Sequence, residues 1–468
     1  MKTNTLEFDA QALREKILDL AMRGKLVPQD PDDEPASELL KKNNLKRSIE
    51  EPHELPSSWD WITLGSGVTF YNGRAYKKKE LLSDDKLTPV LRVGNLFTNS
   101  SWYYSDLSLD ENKYIDNGDL IYAWSASFGP KIWNGGHVIY HYHIWKLEYD
   151  NNVIDTNFLY YFLLDKRNVV GETDLHGSTM KHITKTNMEH LPFPLPPLEE
   201  QSRIAAKIAQ LFALLRKVES STQQYAKLQT LLKSKVLDLA MRGKLVKQDP
   251  HDEPASVLLE KIKAEKEQLI KEKKIKKSKP LPPITDKEKP FDIPDSWEWV
   301  RLGEVAESIR YGYTASAQAT GNAKLLRITD IQNNNVNWNM VPLCNISDMK
   351  LKDLSLHKKD ILIARTGGTI GKNYFVKQIV EPTVFASYLI RVRNINKKVS
   401  NFIQYVLDAP IYWNFISAKK SGTGQPNVNA AKLENFIFPI PPLEEQNRIV
   451  DKIINLIDLF NVGKSFMK

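Results

Sequence analysis

One cysteine, Cys344, in 468 residues rules out an internal disulfide and any multi-cysteine metal cage, and suits a reducing compartment. Long apolar runs are missing too. Nowhere do about twenty apolar residues follow one another, and the opening MKTNTLEFDA has no apolar stretch that could act as a secretion signal. No membrane partner is expected, and the location expected is cytoplasmic. A phosphate-binding loop is also lacking. Gly367-Gly368-Thr369-Ile370-Gly371-Lys372-Asn373 has neither the spacing nor the closing Ser or Thr that would take magnesium, and ahead of Gly463-Lys464-Ser465 the required glycine is replaced by Asp458. ATP binding by this chain is excluded on that ground.

What remains is the composition of a globular protein, 41% hydrophobic, in a chain longer than one core usually organises, so two or three domains are expected. The net charge of +8 invites a nucleic-acid partner, but nine lysines and three glutamates between Lys261 and Lys279 supply +6 of it. Such a stretch reads first as a solvated helix or linker. Overall charge is permissive and no more.

The chief feature is an internal repeat. Ile17 to Leu40 (ILDLAMRGKLVPQDPDDEPASELL) returns at Val236 to Leu259 (VLDLAMRGKLVKQDPHDEPASVLL), an offset of 219. LPSSWDWITLG at Leu55 to Gly65 returns as IPDSWEWVRLG at Ile293 to Gly303, and PLPPLEEQSRI at Pro194 to Ile204 as PIPPLEEQNRI at Pro439 to Ile449, with offsets of 238 and 245. The lysine-rich insertion accounts for the first increase. Between these anchors the copies diverge, keeping only a skeleton: Leu91-Arg92-Val93 with Leu326-Arg327-Ile328, Asp119-Leu120-Ile121 with Asp360-Ile361-Leu362, His176-Gly177-Ser178 with Ser421-Gly422-Thr423. A kept frame with varied intervening segments is the pattern of a scaffold presenting two different specificities on loops.

After Pro196-Pro197, Glu199-Glu200 suits a helix start, where carboxylates face the positive end of the dipole. Ile204, Ile208, Leu211, Leu215 and Val218, then Tyr225, Leu228, Leu232, Val236 and Leu239, follow with coiled-coil spacing. From Glu199 to Met241 such a helix extends roughly 60 Å, nearly two turns of DNA at about 34–36 Å each. The last segment, with Ile449, Ile453, Leu456 and Phe460, repeats the first part of this seam, while Leu13, Ile17 and Leu20 repeat the second. The repeat is thus circularly arranged, and the two terminal helices are expected to pack beside the central one.

Segments 55–198 and 293–443 mix short β-like runs, glycine turns and occasional helices, and read as α+β. Their candidate contact residues are basic, amide and hydroxyl side chains able to hold phosphate or read base edges. In the first copy these are Arg74, Lys77, Lys78, Lys79, Arg92, Asn95, Ser125, Ser127, Lys131, Ser178, Lys181 and His182. In the second they are Arg310, Tyr311, Tyr313, Gln318, Arg327, Thr329, Arg365, Thr366, Thr369, Lys372, Thr423, Gln425 and Asn427, with Lys131 set against Lys372.

The DLAMRGKLV…QDP.DEPAS, IP.SWEW..LG and PIPPLEEQ.RI segments resemble those of specificity (S) subunits of type I restriction-modification systems, in wording and order, over nearly the whole chain. The resemblance implies two globular α+β target-recognition domains joined by long antiparallel coiled-coil helices, a pseudo-two-fold circular repeat in which each domain reads half of an interrupted sequence in double-stranded DNA. The corresponding division is 1–54 for an N-terminal helix and linker, 55–198 and 293–443 for the recognition domains, 199–246 for the central helix, 247–292 for the lysine-rich linker and 444–468 for a C-terminal helix. It also implies two methyltransferase subunits and, optionally, two restriction subunits as partners. S-adenosylmethionine, ATP and magnesium would serve those partners, with no cofactor in this chain.

Catalytic signatures are otherwise wanting. An adenine methyltransferase needs an Asn/Asp-Pro-Pro-aromatic loop, and the double prolines here precede leucine or isoleucine. His137, His141 and His143 alternate as strand ligands for a metal would, but the second copy has no histidine there, so no metal is expected. Pro294-Asp295 with Asp348-Met349-Lys350 faintly resembles a nuclease signature. A self-contained nuclease and a coiled-coil interaction scaffold are the alternative readings.

Overall fold

The computed structural model describes residues 9–97, 100–125, 128–170, 184–379, 382–418 and 428–466. The chain divides into two compact units, Met1–Gln223 and Gln224–Lys468. The division falls inside one helix of 44 residues, Leu198–Met241, which begins where the Pro197 carbonyl accepts from the amide of Gln201 and where Glu199 and Glu200 occupy the first turn.

In the first unit the helix Ala10–Met22 starts at Asp9, whose carboxylate accepts from the Ala12 amide at 3.0 Å. It ends at Gly24, with φ of +66° and a 2.8 Å bond from the Lys25 amide to the Leu20 carbonyl. A Cβ there would also lie 2.4 Å from Pro56 Cγ, so glycine is required twice over. Gly243, also at +66° and against Pro294 at 2.4 Å, does the same in the second unit. The N-terminal helix runs antiparallel to the start of the long helix: Arg14 pairs with Glu219, and further along the chain Gln29 reaches back to Glu200. Leu18, Met22, Trp59, Phe158, Ile204, Ile208 and Phe212 share one core.

The second unit repeats this with the other end of the long helix. Gln229 donates to the Phe460 carbonyl at 2.6 Å and Gln248 to Glu445 at 2.6 Å, so Leu443–Phe466 also lies antiparallel to its partner. Leu237, Met241, Trp297, Phe402, Ile449 and Ile453 form the equivalent core. The expected seam is buried at Ile204, Ile208, Leu215 and Val236, whereas Val218, Leu228 and Leu232 are 45%, 49% and 48% exposed. Apolar spacing continued past the point where each unit's own packing ends.

Each α+β segment opens and closes with one antiparallel strand pair: Asp60–Thr63 with Pro192–Leu195, and Glu298–Arg301 with Ile437–Ile440. Inside the first, an antiparallel sheet orders Val68–Asn72, Ile144–Tyr149, Leu120–Ala123 and Gly129–Ile132. A second sheet orders Tyr103–Ser105, Thr88–Leu91, Val138–Tyr140 and Tyr114–Ile115, with Thr88–Leu91 parallel to Val138–Tyr140. The other segment has Ala306–Tyr311, Leu389–Asn394, Ile361–Ala364 and Asn373–Phe375, then Leu343–Cys344, Ala323–Leu326 and Thr383–Phe385, again with one parallel pair.

The lysine-rich stretch is partly built into its unit. Ala255, Leu258 and Ile262 on the helix Ala255–Lys271 are buried in the core. The segment that follows this helix is held by Arg301, 3% exposed, whose guanidinium donates to the carbonyls of Pro282 at 2.9 Å and Pro283 at 3.3 Å and pairs with Glu288 at 2.9 Å. The Thr285 backbone amide and the Arg301 guanidinium pull the Glu288 carboxyl down to about 2. Thr63 stands at this position in the first copy, which has no such insertion.

Candidate nucleic-acid interface

The repeated words spell one interaction set. In the first unit Trp59 Nε1 donates to Glu200 Oε2 at 2.9 Å, Gln29 Nε2 to Glu200 Oε1 at 2.6 Å, and Arg203 pairs with Asp33 at 2.5 Å. In the second, Trp297 donates to Glu445 at 2.9 Å, Gln248 to Glu445 at 2.6 Å, and Arg448 pairs with Asp252 at 2.5 Å. Burial raises the carboxyl pKa of Glu200 and Glu445 alike, opposed by the tryptophan and glutamine donors. This lock joins the QDP and DEPAS loop, the Ser-Trp strand entry and the Leu-Glu-Glu-Gln helix start, and fixes each sheet domain on its helices.

From there the backbones of the two domains follow one course. The Gly73 amide donates to Ile144, Arg74 to Tyr140, His141 to Leu91, and Trp124 to His143. The second unit has Gly312 to Leu389, Tyr313 to Phe385, Ala386 to Leu326, and Arg365 to Tyr388. Glycine is needed where the loops cross: a Cβ at Gly73 would lie 2.4 Å from the His141 carbonyl oxygen, and one at Gly312 would lie 2.2 Å from that of Phe385. These bonds make Trp124 equivalent to Arg365 and the turn 141–143 equivalent to 386–388. They also correct one pairing, because the strand registers place Lys131 opposite Ile121 but Tyr374 opposite Leu362. Lys131 corresponds to Tyr374, not to Lys372.

The candidate side chains divide sharply by partner. Arg74 pairs with Glu80 at 3.0 Å, Arg327 with Asp330 at 2.7 Å, and Arg310 with Asp353. Lys77, Lys78 and Lys79 are exposed on the loop beside Arg74. Arg92 lies over the Tyr103 ring at 4.3 Å and donates to the Ser101 carbonyl at 3.3 Å, as Asn95 does at 2.8 Å. Lys131 donates to the Leu96 carbonyl at 3.3 Å, and Ser125 is half-buried.

In the second unit, Arg365 covers the Tyr311 ring at 4.7 Å, and the Tyr311 hydroxyl accepts from the Ala430 amide at 3.1 Å. Tyr313 donates to the Asn345 carbonyl at 3.3 Å, and Gln318 accepts from Asn345 at 2.9 Å. Thr329 and Lys372 are exposed, and Thr366 and Thr369 flank the turn at Gly367. Ser127, Ser178, Lys181, His182, Thr423, Gln425 and Asn427 lie outside the described residues.

The candidate set passed over the aromatic turn beside these residues. Trp124 Nε1 donates to the Tyr142 carbonyl at 2.9 Å, and its ring meets His143 with centroids 5.0 Å apart. His141 and His143 rings are 4.9 Å apart, and burial, then His143 and Arg92, lower the His141 pKa to about 4. It is neutral at physiological pH. His137 belongs elsewhere, paired with Asp116 at 2.8 Å and stacked on Tyr114. In the second unit Tyr388, 63% exposed, takes the place of His143. The available signal was the place of Trp124 at the end of a β-like run aligned with Arg365. Among the described residues no group of three or more His, Cys, Asp or Glu side chains is placed to hold a metal ion.

The sequence matches the family described as "Type I restriction modification DNA specificity domain" twice, over residues 56–229 and 294–464. It is 31% identical to the type I restriction enzyme EcoAI specificity subunit of Escherichia coli, over 98% of this chain and 91% of that one. Identity to the EcoEI specificity subunit of the same organism is 29%, with the same coverage, 98% and 91%. A solved chain from work described as "Structural basis underlying complex assembly and conformational transition of the type I R-M system" superposes with a TM-score of 0.59 at 19% identity, covering 89% of this chain and 94% of that one. At that identity the likeness concerns the fold.

Proposed function

Because this chain belongs to the family of type I restriction-modification DNA specificity domains, we propose that it is a non-catalytic DNA-recognition subunit of a type I restriction-modification complex. Each α+β domain reads one half of a bipartite site in double-stranded DNA. The helices set the spacing of the halves and offer docking surface to two methyltransferase subunits, with two restriction subunits as optional additions. S-adenosylmethionine, ATP and magnesium belong to those partners.

One observation carries the reading: the lock around Glu200 recurs around Glu445 with the same donors at the same 2.9 and 2.6 Å, while the loops it positions carry different side chains. A frame reproduced so closely under loops so different serves two readings of one kind of ligand. The test is to replace residues 67–190 with the equivalent segment of another specificity subunit and map methylated adenines in the host genome. One half of the modified sequence should change. A change in both halves, or in neither, defeats the proposal.

A further inference from the structure

The two α+β segments contain nine arginines: Arg74, Arg92 and Arg167 in the first, Arg301, Arg310, Arg327, Arg365, Arg391 and Arg393 in the second. Six of them are held by carboxylates: Glu80, Asp165, Glu288, Asp353, Asp330 and Asp360 pair with Arg74, Arg167, Arg301, Arg310, Arg327 and Arg393 in turn. Arg391 is 1% exposed and spends its donors on the carbonyls of Ser355 and Asp353. Only Arg92 and Arg365 are left, one in each unit, near the surface and without a carboxylate among the described residues.

These two share a third property. Each has its guanidinium carbon over a tyrosine ring, 4.3 Å from the centroid of Tyr103 and 4.7 Å from that of Tyr311, and those rings are themselves 38% and 39% exposed. Each has its Nε buried without a hydrogen-bond partner. A guanidinium held over a ring has lost much of its rotamer freedom, and apart from the Nη2 hydrogen that Arg92 gives to the Ser101 carbonyl at 3.3 Å, the Nη donors have no partner among the described residues and can meet two acceptors on a base edge. Guanine alone offers two such acceptors, O6 and N7, in the major groove.

The two arginines do not occupy equivalent positions. Arg365 corresponds to Trp124, and Arg92 corresponds to Arg327. What separates Arg92 from Arg327 is one atom three residues on. Asn95 accepts from the Arg92 amide at 3.2 Å with an uncharged side chain, and Asp330 accepts from the Arg327 amide at 2.8 Å with a carboxylate that also takes the guanidinium.

We propose that Arg92 and Arg365 each read a guanine, one in each half of the bipartite site, and that Asn95 against Asp330 decides whether the arginine at the shared position reads or is held. This rests on the recognition role proposed above. The full chain is incubated with a duplex library randomised in both half-sites, bound duplexes are sequenced, and affinity is followed across a salt series. Arg365→Ala should relax the preference for guanine at one position of one half by roughly ten- to a hundred-fold, leaving the other half intact. Arg92→Ala should do the same in the opposite half.

Asn95→Asp should reproduce the loss seen in Arg92→Ala with the arginine still present; because it also removes the Asn95 donor to the Ser101 carbonyl, thermal unfolding of the variant is followed alongside, and an unchanged motif in a folded variant would overturn the role given to Asn95. Arg327→Ala should leave the selected motif unchanged. Weaker binding to all sequences alike, with the salt slope reduced by about one and the motif kept, would make Arg92 and Arg365 phosphate contacts and overturn the assignment. Both variants acting on the same half would overturn it as well. Failure of the unsubstituted chain to select any motif defeats the recognition role itself, a result distinguishable from a motif that survives the substitutions.

Discussion

Set side by side, the units agree in the buried lock on their helices and part at the surface turn of their sheets. Trp59 and Trp297, Glu200 and Glu445, Gln29 and Gln248 repeat chemistry and distance. At the loop crossing, the first unit has Trp124, Tyr142 and His143 where the second has Arg365, Ser387 and Tyr388. A buried carboxylate tolerates no loss of a donor, since each unmade bond costs the full desolvation of a charged group. A side chain at a surface turn answers to no such demand, so long as the backbone bonds under it are kept. At these turns difference costs the frame nothing, whereas the exchange of Thr63 for the buried Arg301 comes with the inserted segment that Arg301 holds.

The equivalence can be broken most forcefully in the cores. Phe158 and Phe402 are both fully buried at the start of corresponding helices, so Phe158→Ala and Phe402→Ala should each destabilise their own unit by about 3–5 kcal/mol, read by denaturant unfolding of the whole chain. Costs differing by more than about 2 kcal/mol would show that the cores are not interchangeable. Next comes the lock. Trp59→Phe and Trp297→Phe each leave a buried carboxylate oxygen without its donor, and a loss of about 1.5–3 kcal/mol is expected from either. Two unperturbed melting curves would mean that the tryptophans act by packing alone.

The smallest effect sharpens the contrast. His141 has a folded pKa lowered to about 4, whereas the free imidazole titrates near 6.5. Between those values the unfolded chain takes up a proton that the folded chain refuses, so this residue's contribution to stability falls as pH drops from 7 to 5. His141→Ala should melt closer to the unsubstituted protein at pH 5 than at pH 7, or overtake it. Ala386 occupies the position in the second unit, which has no corresponding term there. An unchanged gap between the two melting curves at both pH values would remove His141 from the account.

Much of the frame was legible in the residues themselves. The Glu199-Glu200 start is a local signal, and the structure uses it as read; Asp9 and Gly24 are equally local, satisfied within a turn of helix or by φ alone, and went unread. The continuous seam was over-read, because apolar spacing reports which face of a helix can pack and not whether its unit supplies a neighbour at Val218 or Leu228. The lysine stretch was under-read: its charge conceals Leu258 and Ile262, and its anchor, Arg301, is more than twenty residues beyond the run.

Of the contact candidates, residue type marked the arginines but not their fates. Arg74 with Glu80 and Arg327 with Asp330 are close enough along the chain to have been paired on sight. Arg310 with Asp353, 43 residues away, and Arg365 with Tyr311, across two strands, are not.

The sequence by itself determined the twofold frame, the circular order of its helices and the family, because repeated words, caps and turns are written in neighbouring residues. Beyond Arg74 and Arg327, which arginines are neutralised and which are stacked and open was decided only by the tertiary structure. Ion pairing and ring stacking depend on distances of a few ångströms between residues that strand pairing brings together, and nothing in their order along the chain encodes that distance.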